Sequence, residues 1–435
     1  MIDTLKRRLA TSSGPWFVLF ATSAAFCTYF SMYAFRKPFT AASFEQVDGW
    51  QYALDFKTAI VLAQVIGYAL SKFIGIKVVS ELASEKRALM IIALVMTAEL
   101  ALILFPLVPN EWKLLTLLLN GLPLGMIWGL VFSFLEGRRV SEVLGAGLSV
   151  SFIISSGVVK SVGKWLMLDF GVSELWMPAV TGLVFTPLLF VSVYFLACIP
   201  KPNQEDIAER HQRLPMSGQD RRRLFFKYLP GLAALILTYM MLTAIRDYSD
   251  NFAAEIWNSL GYGDQPGIFS KAALYTSLII LVALSLVMFI KNNLRALMTN
   301  HLFIIAGIAI IGVSTVCYQL GWLRSDVWMI THATGIYLAY IPFNCLLFDR
   351  LLSVVNDRAN AGFLIYVADA MGYAGSVGIL LYKSFMNVEL SWLQFLIQSS
   401  YLISAIGTAL VIGSALYFYV KLAPARAAKP IPTPA

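Results

Sequence analysis

The stretch Leu183–Ile199, LVFTPLLFVSVYFLACI, decides the fold. It is apolar almost throughout and carries no charge. Tyr275–Ile290, YTSLIILVALSLVMFI, reads the same way. A strand of a membrane barrel would alternate apolar and polar residues over a short segment. These runs do not alternate. Backbone groups in lipid must find their partners inside the chain, so runs of this kind are helices.

The rest of the chain agrees. Of 435 residues, 58% are hydrophobic and 13% charged, and mean hydropathy is +0.72. Soluble domains carry roughly 25% charge, so this chain in water would expose large apolar surfaces. A bilayer core takes roughly 20 apolar residues per helix, which leaves room for about twelve spans. They are placed at 14–40, 55–79, 88–108, 112–135, 144–169, 176–198, 228–250, 267–290, 297–321, 325–348, 360–384 and 393–421. Met32–Phe39 is aromatic and basic rather than a small-residue cleavage site, so the first helix is read as uncleaved.

Orientation follows from Lys/Arg bias. Most of the 33 basic residues fall in the tails and the even-numbered loops. The opposite loops and helix ends hold Arg36, Lys37, Lys57, Lys113, Lys271, Arg324 and Lys383. Both termini are therefore expected in the cytoplasm, in a multi-pass protein of the cytoplasmic (inner) membrane. The formal charge of +8 follows from this bias and needs no nucleic acid. The expected organisation is an N-terminal six-helix bundle, 1–199, a basic cytoplasmic loop, 200–227, and a C-terminal six-helix bundle, 228–421. A proline-bearing tail, 422–435, is expected to be disordered. Cys27, Cys198, Cys317 and Cys345 lie in apolar runs without metal spacing, so no metal or cofactor is expected.

An internal repeat supports the two bundles. Ala146-Gly147, Gly157 and Ser161-Val162-Gly163 recur at one offset as Ala361-Gly362, Gly372 and Ser376-Val377-Gly378. Tyr29, Tyr33 and Arg36 stand at i, i+4, i+7, as do Tyr239, Thr243 and Arg246. Parallel repeats of this kind suit transporters with a site near the midplane, where the halves meet.

Ionisable groups inside a membrane cost about 2.5–3.5 kcal/mol on insertion scales and mark function by default. The candidates are Arg36 with Lys37, Lys72, Lys160, Arg246 and Asp369. Each has a structural alternative. Arg36 and Lys72 could snorkel to an interface. Arg246 could pair with Asp247 or Asp250, and Asp369 with a buried base. Gln64, Tyr68 and Lys72, at spacing four, make a polar stripe on an apolar helix. The excess of cations predicts an anionic substrate. Two arginines suit one oxyanion through bidentate hydrogen bonds. Asp369 is the candidate coupling carboxylate. Tyr33, Tyr68 and Tyr239 suit hydroxyl-bearing or ring-bearing groups, although tyrosine also serves as plain packing.

These residues carry a resemblance. Tyr33-Ala34-Phe35-Arg36-Lys37-Pro38-Phe39, Tyr68-Ala69-Leu70-Ser71-Lys72-Phe73-Ile74-Gly75, Gly125-Met126-Ile127-Trp128 and Arg246-Asp247-Tyr248-Ser249-Asp250 resemble the corresponding segments of the organophosphate:phosphate antiporters of the major facilitator superfamily. The resemblance implies the major facilitator fold. It also implies phosphate binding by Arg36 and Arg246, with Lys72 lining the site and Lys37 a weaker transfer. Family members carry a histidine in helix 5; this chain has Ser155-Ser156 there, with Lys160 nearby.

The expected function is secondary transport of a small anionic organic solute, a phosphorylated compound first among them, by a monomer. Inorganic phosphate as counter-substrate and proton coupling both remain open, as does a carboxylate/proton symporter. The chain has no GxxxxGK[ST] loop for ATP hydrolysis. A transport-inactive membrane sensor is the alternative from another class, because the loop after helix 2 keeps only a degraded superfamily signature. An enzyme is disfavoured: His211, His301 and His332 are read as lying in or near loops, without an acidic partner motif.

Overall fold

The structure is a computed structural model. It describes residues 2–10, 14–45, 47, 49–135, 141–201, 218–288, 290, 292–345, 347–355, 361–386 and 389–422. The expected tail and most of the expected central loop lie outside these.

Among the described residues the chain is helical: α1 (Ile2–Ala10), α2 (Gly14–Tyr33), α3 (Phe56–Glu81), α4 (Arg87–Leu107), α5 (Asn110–Leu124), α6 (Ile127–Phe132), α7 (Ser141–Phe170), α8 (Met177–Ala197), α9 (Gly218–Lys227), α10 (Leu229–Asn251), α11 (Ala253–Ser259), α12 (Gly267–Met288), α13 (Asn293–Gln319), α14 (Ser325–Cys345), α15 (Leu347–Val355), α16 (Ala361–Met386) and α17 (Trp392–Leu422). Among the described residues eleven helices are long and apolar enough to cross a membrane, and the pair α14–α15, bent by 41°, makes up to twelve. Pro342 lies just before that bend, where a proline removes a ladder hydrogen bond and crowds the preceding turn.

Three expected elements differ. The first span, expected to run to residue 40, stops at Tyr33. Ala34, Phe35 and Arg36 then turn back by short-range bonds to Ser31, Met32 and Tyr33, and a 3-10 turn follows over Pro38–Ala41. Pro38 has no N–H to give and its ring would strike the carbonyl of Ala34, so the α-helix cannot continue through it. The fourth span breaks at Gly125-Met126 into α5 and α6. The stretch expected as central loop ends in α9, whose GQDRRRLFFK sequence has apolar and basic residues at helical spacing.

The chain forms two compact units. Unit 1 takes in the described residues of Met1–Arg210, Asp247–Leu281 and Val377–Phe395; unit 2 takes in those of His211–Arg246, Val282–Ser376 and Leu396–Ala435. Within unit 1, α3 and α5 meet backbone to backbone. A Cβ added at Gly67 would strike the Leu118 carbonyl, and one at Gly121 would strike the Gln64 carbonyl. One at Gly125 would lie 2.5 Å from the Tyr68 carbonyl oxygen. Without a hydrophobic drive between helices in lipid, close approach through small residues is what holds such pairs. In this case it also fixes Gln64, Tyr68 and Lys72 against their neighbours. Within unit 2, Gly307 of α13 and Gly335 of α14 meet in the same way.

Gly121→Val should wedge α3 from α5 and destabilise the protein by about 1–3 kcal/mol. A lowered thermal unfolding midpoint in detergent would show it. Gly378→Ala, whose added Cβ would meet nothing, should leave the midpoint unchanged.

Candidate functional site

In unit 1 the chain turn after α2 delivers Arg36. Its guanidinium carbon sits 3.7 Å from the centre of the Tyr68 ring and 5.8 Å from that of Tyr33. The residue is only 8% exposed, so it lies among the helices, not out along the surface. The Arg36 carbonyl accepts from Gln64 Nε2 at 2.8 Å, and the same nitrogen donates to Asn120 Oδ1 at 2.7 Å. Asn120 Nδ2 donates to the Phe35 carbonyl at 2.8 Å. The turn that aims the guanidinium is thus tied to α3 and α5.

Lys72, one turn along α3, places Nζ 5.6 Å from the Tyr68 ring centre and 5.7 Å from that of Trp128. Tyr68 therefore carries two cations, and Tyr29 and Tyr33 pack edge to face beside them at 5.5 Å. Stacking uses the face of a guanidinium, whereas its five N–H donors lie in its plane. Trp128 stands outside the expected site residues, although it belongs to the Gly125-Met126-Ile127-Trp128 stretch.

Two more of the expected cations, Lys37 and Lys160, share one carboxylate. Asp250 lies 2.5 Å from Lys37 Nζ through Oδ2 and 2.5 Å from Lys160 Nζ through Oδ1. Its Oδ1 also accepts from Ser156 Oγ at 2.6 Å, and Lys37 Nζ donates to Asn251 Oδ1 at 2.7 Å. Asp250, an expected alternative partner of Arg246, holds Lys37 and Lys160. Sequence spacing along one helix showed only the Arg246 possibility, because Lys37 and Lys160 come from distant segments. Ser161 and Ser270 share a further hydrogen bond, and Gly157 lets α7 approach Phe269 and Ala273 of α12. Lys57 and Glu255 make a second pair at 2.5 Å. Burial lifts the Glu255 carboxyl above the ordinary range, with the Lys57 ammonium pulling it back. This pair borders a cavity of about 720 Å³ that also meets Lys164, Lys383, Trp50 and Trp392; Arg36, Tyr68 and Lys72 are not in its lining.

In unit 2, Arg246 repeats the motif of Arg36. Its guanidinium carbon lies 4.2 Å from the centre of the Tyr340 ring. Tyr239 stacks on Tyr340 at 5.0 Å and 20°. Tyr239 Oη donates to Asp369 Oδ1 at 2.6 Å and lies 2.9 Å from Tyr340 Oη and 3.3 Å from Asn344 Oδ1. Gly372, one turn from Asp369, lets α16 close on Tyr239 and Thr243 of α10. Arg246, Tyr239 and Asp369 are thus brought into one cluster. Tyr340 and Asn344 were missed, although they stand at i, i+4 on one helix as a polar stripe like that of Gln64, Tyr68 and Lys72. His301 and His332 lie within α13 and α14, not near loops; both are buried, each against a serine hydroxyl, Ser414 and Ser400.

This architecture is that of the major facilitator fold. The D-xylose-proton symporter matches at TM-score 0.56 and 12% identity over 93% of this chain and 97% of that one. The nucleoside transporter NupG matches at 0.57 and 13%, over 92% and 98%. A mutant of the peptide transporter POT in complex with alafosfalin matches at 0.60 and 13%, over 96% and 99%. At such identities the likeness shows the fold alone. No curated protein matches the sequence. The chain belongs to the family of unknown function DUF5690, whose model matches residues 38–421.

Asp250→Asn would leave two buried ammonium groups without their shared counter-charge. It should cost about 3–5 kcal/mol of stability. The triple change Lys37→Met, Lys160→Met, Asp250→Leu should recover most of that loss. Thermal unfolding of the purified protein in detergent measures both.

Proposed function

We propose that this protein is a secondary transporter of a small anionic organic solute, a phosphorylated compound, working by alternating access. One observation carries the reading: two arginines deep in a chain of membrane spans, each laid on a tyrosine face, Arg36 on Tyr68 and Arg246 on Tyr340. Holding a cation at such depth is costly, and an arginine stays charged through any transport cycle. A permanent receptor for an anion accounts for both. In this reading the anion is bound by Arg36 and by Arg246 in the course of the cycle. Lys72, Tyr33, Tyr68 and Tyr239 complete its surroundings, and Lys37 and Lys160 act through Asp250. The protein works as a monomer in the cytoplasmic membrane, with both termini in the cytoplasm and the bundles 1–199 and 228–421 as its repeated halves.

Ligand-induced thermal shifts test the anion. Phosphate, glycerol phosphate, sugar phosphates, phosphonates and carboxylates would be compared on wild type, Arg36→Lys and Arg246→Lys. Lysine keeps the charge and loses the fork, so each variant should bind the preferred anion at least about tenfold more weakly, or ~1.4 kcal/mol. Undiminished binding in both variants would reject the reading. Counterflow in proteoliposomes then separates a transporter from a sensor, since a sensor binds without exchange.

Asp369 supplies the coupling test. Its hydrogen bond from Tyr239 places a carboxylate in the Arg246 cluster. With proton coupling, Asp369→Asn should abolish uphill uptake while sparing binding. With inorganic phosphate as counter-substrate, exchange should survive the change.

A further inference from the structure

The helix α4 holds an acid that the site above does not use. Glu99 stands near the middle of this apolar span and is 1% exposed. Neither Oε1 nor Oε2 has a hydrogen-bond partner among the described residues. The carboxyl occupies a socket left by a missing side chain. A Cβ added at Gly182 of α8 would land on Glu99 Oε2, and would stand 3.0 Å from Phe35 Cδ1. From α8 the carboxyl thus meets a glycine, and from the turn before Arg36 a phenylalanine. A neutral amide, that of Asn120 on α5, is tied to the turn of Glu99 through the Ala98 carbonyl. No charged side chain among the described residues acts on it.

An ionised carboxylate in this socket would lack both water and a counter-ion, an arrangement proteins avoid by neutralising the group. We propose that Glu99 is a proton-binding site: it holds a proton in the conformation seen here and releases it to water when the socket at Gly182 opens. The exchange is simple: the carboxylic acid O–H bond breaks, the proton passes to water, and the carboxylate remains. The socket is also linked to Arg36. Asn120 Nδ2 donates to the Ala98 carbonyl at 3.0 Å and to the Phe35 carbonyl at 2.8 Å. Those residues immediately precede Glu99 and Arg36. One amide therefore clamps the turn that carries the acid to the turn that carries the cation. If the protein is the anion transporter described above, a cycle that opens this socket on alternate sides carries a proton with each turn. The proton site itself does not depend on that reading.

Infrared difference spectroscopy of the full chain in lipid at pH 7 tests it. The wild type should show the carbonyl band of an un-ionised carboxylic acid, and Glu99→Gln should lose that band. Gly182→Ala presses a methyl group onto the carboxyl and should shift the band, which provides a readout if the glutamine variant does not fold. A wild-type spectrum with no carboxylic acid band sensitive to Glu99 or Gly182 would overturn the proposal. Anion binding measured on the same samples keeps the two readings apart. The band with no anion binding sinks the transporter and spares the proton site, and anion binding without the band does the reverse.

Discussion

A charge inside lipid has no water to share its field, and this constraint shapes the interior of the protein. Several of the buried cations named above rest on rings or on carboxylates. Arg36, Arg246 and Lys72 lie on aromatic faces, at 3.7, 4.2 and 5.6 Å from ring centres. Lys37, Lys160 and Lys57 lie on carboxylates. A carboxylate neutralises its partner, whereas a ring stabilises the charge across its face. The cations on rings are the ones proposed above to meet an anion.

Backbone placement makes those arrangements possible. Arg36 reaches Tyr68 because α2 ends at Tyr33 and the chain turns before Pro38. Tyr68 is held in place because Gly121 and Gly125 allow α3 to touch α5. The Gln64–Asn120 amide pair then locks the Arg36 carbonyl to both helices. The same amide pair reaches the Glu99 turn, so helix packing, the Arg36 turn and the buried acid share a few hydrogen bonds in unit 1.

Much of the fold could be read from residue order. Apolar runs such as Leu183–Ile199 marked the spans to within a few residues, because lipid imposes length and internal hydrogen bonding on every crossing segment. The polar stripes at spacing four found Tyr68 with Lys72 and would have found Tyr340 with Asn344. Arg36, Arg246, Tyr239 and Asp369 drew notice as charges or tyrosines in apolar context. Glu99 stands in the same kind of context, but one acid on a long apolar helix makes no pattern with its neighbours.

The sequence by itself determined the class of structure and which side chains lipid should have excluded. Those are local properties, set by run length, charge and periodicity. Only the tertiary structure decided how each of those side chains is satisfied. Asp250 went to Lys37 and Lys160 rather than to the arginine on its own helix, Arg36 and Lys72 came to share Tyr68, and Glu99 was left facing a glycine. Partnership across helices depends on which turns face one another, and that is fixed by close glycine contacts and by the helix break before Pro38.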